Sequence, residues 1–231
     1  MQRPALLLIA HGSRDPRHAS TMRELLLEVS ARLPSVRVSL AFLDFNGPSV
    51  PSALSWLAAS GVREVVAAPL LLTQAFHAKT DIPAALSSAP PSLRVHQAPV
   101  LGPSPLLLSA LNRRLEEAGV HPAHRATTGI VLAAAGSTDP EAIAGIAHVA
   151  REWRRTTGWC AVRPAFASAA LPTPADAIRA LRADGVRRVA VAPYALAPGR
   201  LPDRIAAGAS GGRSIPLRRI HDPATRLTRC I

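Results

Sequence analysis

Three side chains able to hold a divalent metal or take up a proton stand where apolar runs end: His11, Asp44 and His77. His11 follows the apolar run in "LLLIAHGSRDPR" (6–17), Asp44 lies near the end of "RVSLAFLDF" (37–45), and His77 sits in "PLLLTQAFHAKTDIP" (69–83). Two imidazoles and a carboxylate suit a borderline divalent ion such as Fe, Co, Ni or Zn. The imidazoles serve equally as a pair of proton acceptors near neutral pH. The bland alternative makes each a loop residue that closes a strand. The other histidines, His18, His96, His121, His124, His148 and His221, read as structural or solvated.

Such a trio needs a scaffold that brings three strand ends to one edge, and the chain spells one out. "ALLLIA" (5–10) is a short apolar strand, and residues 20 to 33 place Met22, Leu25, Leu26, Val29 and Leu33 on one helical face. Residues 37 to 45 read as a strand, and 49 to 60 as a helix with Ser49 as N-cap and Gly61 just past its end. Strands follow at 62–72 and 94–100, then a helix at 104–118. Strands separated by helices imply an α/β fold with a mainly parallel sheet, whose loops meet at the carboxyl edge.

The pattern occurs twice. A shift of 124 residues lays Gly12-Ser13 on Gly136-Ser137, Asp15-Pro16 on Asp139-Pro140, Ala41-Phe42 on Ala165-Phe166, and Gly61-Val62-Arg63 on Gly185-Val186-Arg187. A register held over such a span marks an internal duplication. It predicts an N-terminal half at 1–120, a C-terminal half at 127–231, and a linker through "GVHPAHRA" (119–126). The second copy keeps the glycines, prolines and apolar periodicity but not the chemistry. His11 becomes Ala135, Asp44 becomes Ser168, and His77 falls among Gly199, Arg200 and Leu201. Joint loss suggests joint action, with the second half a degenerate wall of the cleft.

Composition narrows the partners. The 27 Lys and Arg outnumber 15 Asp and Glu, and Lys79 is the only lysine. A net charge of +12 suits a polyanionic partner. The arginines are scattered, however, and aromatics are 3%, which argues against nucleic acid. Ser13, Arg14, Arg17 and Lys79 flank the histidines and are the substrate-binding candidates. Asp81-Ile82-Pro83 predicts a helix start with Asp81 as N-cap, a further attraction for anions. Cys160 and Cys230 form no disulfide framework or metal spacing. No run approaches the roughly 20 apolar residues of a membrane span, and the N-terminal run is too short for a signal peptide. A cytoplasmic protein bound to neither membrane nor nucleic acid is the expectation.

"LIAHGSRDPR", "AFLDFNGPSVPSAL" and "PLLLTQAFHAKTDIP", in this order, resemble the sirohydrochlorin chelatases of the CbiX/SirB type, the class II tetrapyrrole chelatases. The resemblance covers most of the chain and implies two similar α/β halves facing across a cleft. It implies a lyase, a ferrochelatase or cobaltochelatase that inserts Fe2+ or Co2+ into sirohydrochlorin on the way to sirohaem or cobalamin. His11 and His77 would be catalytic and, with Asp44, metal-binding. The family often has Glu where this chain has the shorter Asp44. The metal is then a substrate, no tightly bound cofactor is needed, and both halves in one chain predict a monomer. The lack of a His-rich segment tilts the expectation towards iron. Two other readings are a non-catalytic tetrapyrrole or metal carrier, and a histidine-type phosphatase. The latter places Arg before its His-Gly, where this chain has Ala10.

Overall fold

The computed structural model describes residues 3–209 and 213–214. His221 and Cys230 lie outside the described residues. The elements run β1 (Ala5–Ala10), α1 (Pro16–Arg32), β2 (Val38–Phe42), α2 (Val50–Ala59), β3 (Glu64–Pro69), a π-helical turn (His77–Asp81) leading into α3 (Ile82–Leu86), β4 (Arg94–Gln97) and α4 (Pro105–Glu117). A 3-10 turn (Pro122–Thr127) leads into β5 (Thr128–Ala134), α5 (Pro140–Thr157), β6 (Ala161–Phe166), α6 (Pro174–Ala183), β7 (Arg188–Pro193), α7 (Arg200–Ala207) and β8 (Arg213–Ser214).

Two four-stranded parallel sheets result, in the orders β2-β1-β3-β4 and β6-β5-β7-β8. β1 and β5 are central and covered on both faces, which is why they are nearly continuous apolar runs. The duplication extends to backbone register. Leu6 pairs with Val38 and Val66, and Ile130 pairs with Val162 and Ala190. Asp15 caps α1 through the Arg17 amide, and Asp139 caps α5 through the Glu141 amide, each with proline next in the chain. The first cap starts α1 at Pro16, earlier than the apolar periodicity suggests.

Other boundaries also move. β2 stops at Phe42 and β3 at Pro69. The residues beyond them leave the sheet as loops at its carboxyl edge. α4 belongs to the first half in sequence but to the second in packing. Leu115 and Val120 join Ile130, Leu132 and Trp153 in one buried cluster. Asn112 Oδ1 accepts from the indole N–H groups of Trp153 (2.9 Å) and Trp159 (3.2 Å), so this contact leaves both buried donors paired. The packing boundary therefore precedes α4, whereas the sequence boundary follows it. Among the described residues no helix is long and apolar enough to cross a membrane.

Candidate active site

β1 delivers His11 at its carboxyl end, and the next residue makes the turn possible. Gly12 has φ +95°, and a Cβ there would lie 1.8 Å from the carbonyl oxygen of Asp44. Only glycine lets the two loops approach so closely. The Asp44 amide donates to the His11 carbonyl at 2.9 Å, and the Ser13 amide donates to Asn46 Oδ1 at 2.8 Å. His11 Nδ1 lies 3.0 Å from the Gly12 carbonyl oxygen. A carbonyl only accepts, so Nδ1 is the donor in this contact and Nε2 is the nitrogen it leaves unengaged.

His77 opens the π-helical turn. Its Nδ1 lies 2.5 Å from Asp81 Oδ2, so the carboxylate accepts from Nδ1, orients the ring and again leaves Nε2 unengaged. This corrects the expected role of Asp81. The helix begins at His77, Asp81 has helical backbone angles, and its side chain makes no cap bond. The two imidazoles meet edge to face with centroids 4.3 Å apart. Nitrogens brought together in this way, each ring oriented by an oxygen acceptor, can ligate one divalent ion or accept two protons.

A cavity of about 530 Å³ runs between the halves, with His11, Ser13 and His77 on one side and Ala135, Tyr194 and Leu196 on the other. Asp44 does not join it. Its exposed carboxylate accepts from the Phe45 amide at 2.8 Å, and only its main chain braces His11. Among the described residues no group of three or more His, Cys, Asp or Glu could hold a metal. Of the three residues expected to bind metal, the structure brings His11 and His77 together and leaves the Asp44 carboxylate on its own loop.

Arg17 and Lys79 also take unexpected places. Arg17 bridges Asp15 (2.6 Å) and Asp203 of the other half (2.5 Å). Lys79 reaches Asp139 (2.9 Å) and Glu141 (2.6 Å), also across the cleft. Both cations meet carboxylates of the protein, where the sequence offered them to a substrate. The guanidinium of Arg17 holds the Asp15 carboxyl down at about 2. The ammonium of Lys79 lowers that of Asp139 and is itself pushed up by Glu141 and Asp139. Arg14 instead lies over the Phe45 ring, 5.2 Å from its centroid. Ser13 lines the cavity while its hydroxyl accepts from the Asp15 amide.

Contrary to the expectation of a structural or solvated residue, His18 lines the cavity with Nδ1 buried and unpaired. Burial first, then the neighbouring His11, pulls it below the usual imidazole range. The duplication carried the signal, since Ala142 stands at the matching place. Tyr194, at the place of Leu70, likewise lines the cavity with an unpaired hydroxyl, pushed up to about 12 by burial.

The profile of the CbiX family matches residues 5–118 and again 129–211, one segment in each half. The chain belongs to the CbiX family. It is 28% identical over 208 residues to the sirohydrochlorin cobaltochelatase of Priestia megaterium, covering 87% of this chain and 67% of that protein. It is 26% identical over 227 residues to the sirohydrochlorin ferrochelatase of Bacillus subtilis, covering 97% and 84%. The structure of SirB from Bacillus subtilis with Fe3+ superposes with a TM-score of 0.79 at 25% identity, covering 93% of this chain and 88% of that one. In this CbiX-family chain the first profile segment holds all of β1 to β4 and the second holds β6, β7 and nearly all of β5, and the histidine pair lies wholly within the first.

Proposed function

We propose that this chain is a sirohydrochlorin chelatase, inserting Fe2+ or Co2+ into sirohydrochlorin in the cytoplasm. The observation that carries the reading is the His11–His77 pair, rings 4.3 Å apart on the wall of the cavity between the halves. Metal insertion replaces two pyrrole N–H protons by one divalent ion, so the site must present a metal and remove two protons. Nε2 of His11 and of His77 can do either, because each Nδ1 is committed to an oxygen. Asp81 stabilises the imidazolium that forms when His77 takes a proton. The metal is a substrate, and the reaction needs no resident cofactor. A single chain supplies both walls of the cavity, so light scattering should give a monomer.

The named relatives include both an iron and a cobalt enzyme at similar identity, which leaves the choice to experiment. The lack of a His-rich segment favours iron. Purified protein, mixed anaerobically with sirohydrochlorin and Fe2+ or Co2+, should shift the tetrapyrrole spectrum faster than the protein-free control. Rates equal to the protein-free control with both metals would overturn the reading and leave a carrier. A deletion strain that loses sulfite or nitrite reduction points to iron, and one that loses cobalamin alone points to cobalt.

A further inference from the structure

The chain has only four phenylalanines, and they divide by role. Phe42 and Phe166, at matching places in the two halves, are buried to 1% and 2% exposure. Phe45 and Phe76 are 49% and 60% exposed. These two flank the histidine pair. The Phe45 ring lies 6.3 Å from His11, His11 lies 4.3 Å from His77, and His77 lies 6.1 Å from Phe76, all between centroids. The four rings are thus successive neighbours, with the two imidazoles between two exposed phenyl rings.

The fold does not ask for these rings. Phe45 holds φ +61°, a left-handed conformation uncommon for a bulky residue. Its counterpart Ala169 keeps nearly the same φ, +57°, without a ring. Phe76 faces a stretch from Pro198 to Arg200 in the second copy, again without an aromatic. The duplicated halves retain the aromatic that packs and differ in the two that do not. The exposed pair follows the histidines. Arg14 completes the group, its guanidinium held over Phe45, and among the described residues it meets no carboxylate.

We propose that Phe45 and Phe76 position the substrate: their exposed rings form the apolar surface on which the flat face of a polycarboxylate tetrapyrrole rests beside the histidine pair, and Arg14 meets one of its peripheral carboxylates. This rests on the chelatase reading above and adds the residues that seat the macrocycle. A planar conjugated ring with charged edges needs such a surface. Apolar contact and stacking hold its face, which carboxylates cannot reach, and a cation beside one platform ring holds its rim. Arg17 and Lys79 are engaged across the cleft, so Arg14 takes the role they leave.

The experiment measures sirohydrochlorin-dependent kinetics, Co2+ binding without tetrapyrrole, and melting temperature for wild type, Phe45→Ala, Phe76→Ala, Phe76→Trp, Arg14→Gln and the control Leu106→Ala. Leu106 is a more exposed apolar residue, on α4. Each Phe→Ala change should raise KM for sirohydrochlorin about 3- to 10-fold, the loss of one ring contact, with kcat changed less than twofold. Co2+ affinity and melting temperature should stay at wild-type values. Phe76→Trp should keep KM, and its added indole should be quenched when metal-free tetrapyrrole binds. Arg14→Gln should raise KM and weaken its salt dependence, while Leu106→Ala changes nothing. Wild-type KM in both alanine variants, beside an active wild type, overturns the inference and leaves the chelatase reading standing. Wild-type protein without catalysed insertion overturns that reading instead. If the alanine changes dissolve a dimer seen by light scattering and leave KM alone, the rings serve a second copy of the chain and the inference is wrong.

Discussion

The two halves share a backbone and divide the work. Gly12 and Gly136 hold φ +95° and +96°, each pressed against the carbonyl of the matching loop, Asp44 or Ser168. The amides of Leu70 and Tyr194 both donate at 2.7 Å to the preceding central strand, at Ile9 and Ala133. On this common frame the first half carries His11, His77, Phe45 and Phe76, and the second carries Ala135, Ala169 and a stretch without imidazole or aromatic side chains. The halves also clamp each other with reversed polarity. Arg17 beside the α1 cap reaches Asp203, while Asp139 and Glu141 at the start of α5 reach Lys79. Duplicated structure persists where packing and main-chain geometry require it, and side chains facing the cavity are free to diverge. The contrast places the histidine pair in the first half alone, while both halves line the cavity.

The largest test of that contrast is catalytic. His11→Ala and His77→Ala should each lower turnover by roughly 100- to 10,000-fold, the range for losing a positioned base. Ser168→Ala and Ala135→His should leave it within about twofold. Melting curves should be unchanged for the histidine variants, because neither side chain is buried in the core. Equal damage from Ser168→Ala would remove the one-sided site.

The glycines should instead respond alike. Gly12→Ala and Gly136→Ala each force a side chain into left-handed backbone and onto a carbonyl. Each should cost about 2 kcal/mol or more, read as a lower midpoint in chemical denaturation. A cost confined to one half would break the structural equivalence.

Asp81→Asn keeps the shape but removes the charge behind His77, and should weaken metal affinity about 10- to 100-fold. Asp203→Asn, at the matching place, touches only the Arg17 clamp and should leave metal affinity alone.

The clamps themselves are exposed, so Lys79→Met should lower the melting temperature only slightly, and less at high salt. Their pH dependence has a definite sign. Asp15 is lowered from 3.8 to about 2 by Arg17, and Asp139 is lowered by Lys79. Their contribution is complete above the ordinary carboxylate value and lost as pH falls from about 4 towards 2. The melting temperature should drop in that window, less steeply in Arg17→Met. The smallest effect is Tyr194→Phe. Its hydroxyl has no partner, so stability should change by less than about 0.5 kcal/mol or rise slightly.

The sequence by itself determined the alternation of strands and helices, the duplication, the Ser49 cap and the two histidines, because periodicity and capping act over a few residues. It placed His11 and His77 at strand exits of one half, and the parallel sheet then brings those exits to one edge. Only the tertiary structure decided what each side chain meets there. It turned Asp81 from a cap into the partner of His77, faced the Asp44 carboxylate to its own loop, and drew His18 into the cavity. It also joined Arg17 to Asp203 and Lys79 to Asp139, and packed α4 on the second half's core. Contacts between residues so distant along the chain depend on how the two halves dock and how each loop closes, and no local pattern of residues encodes that geometry.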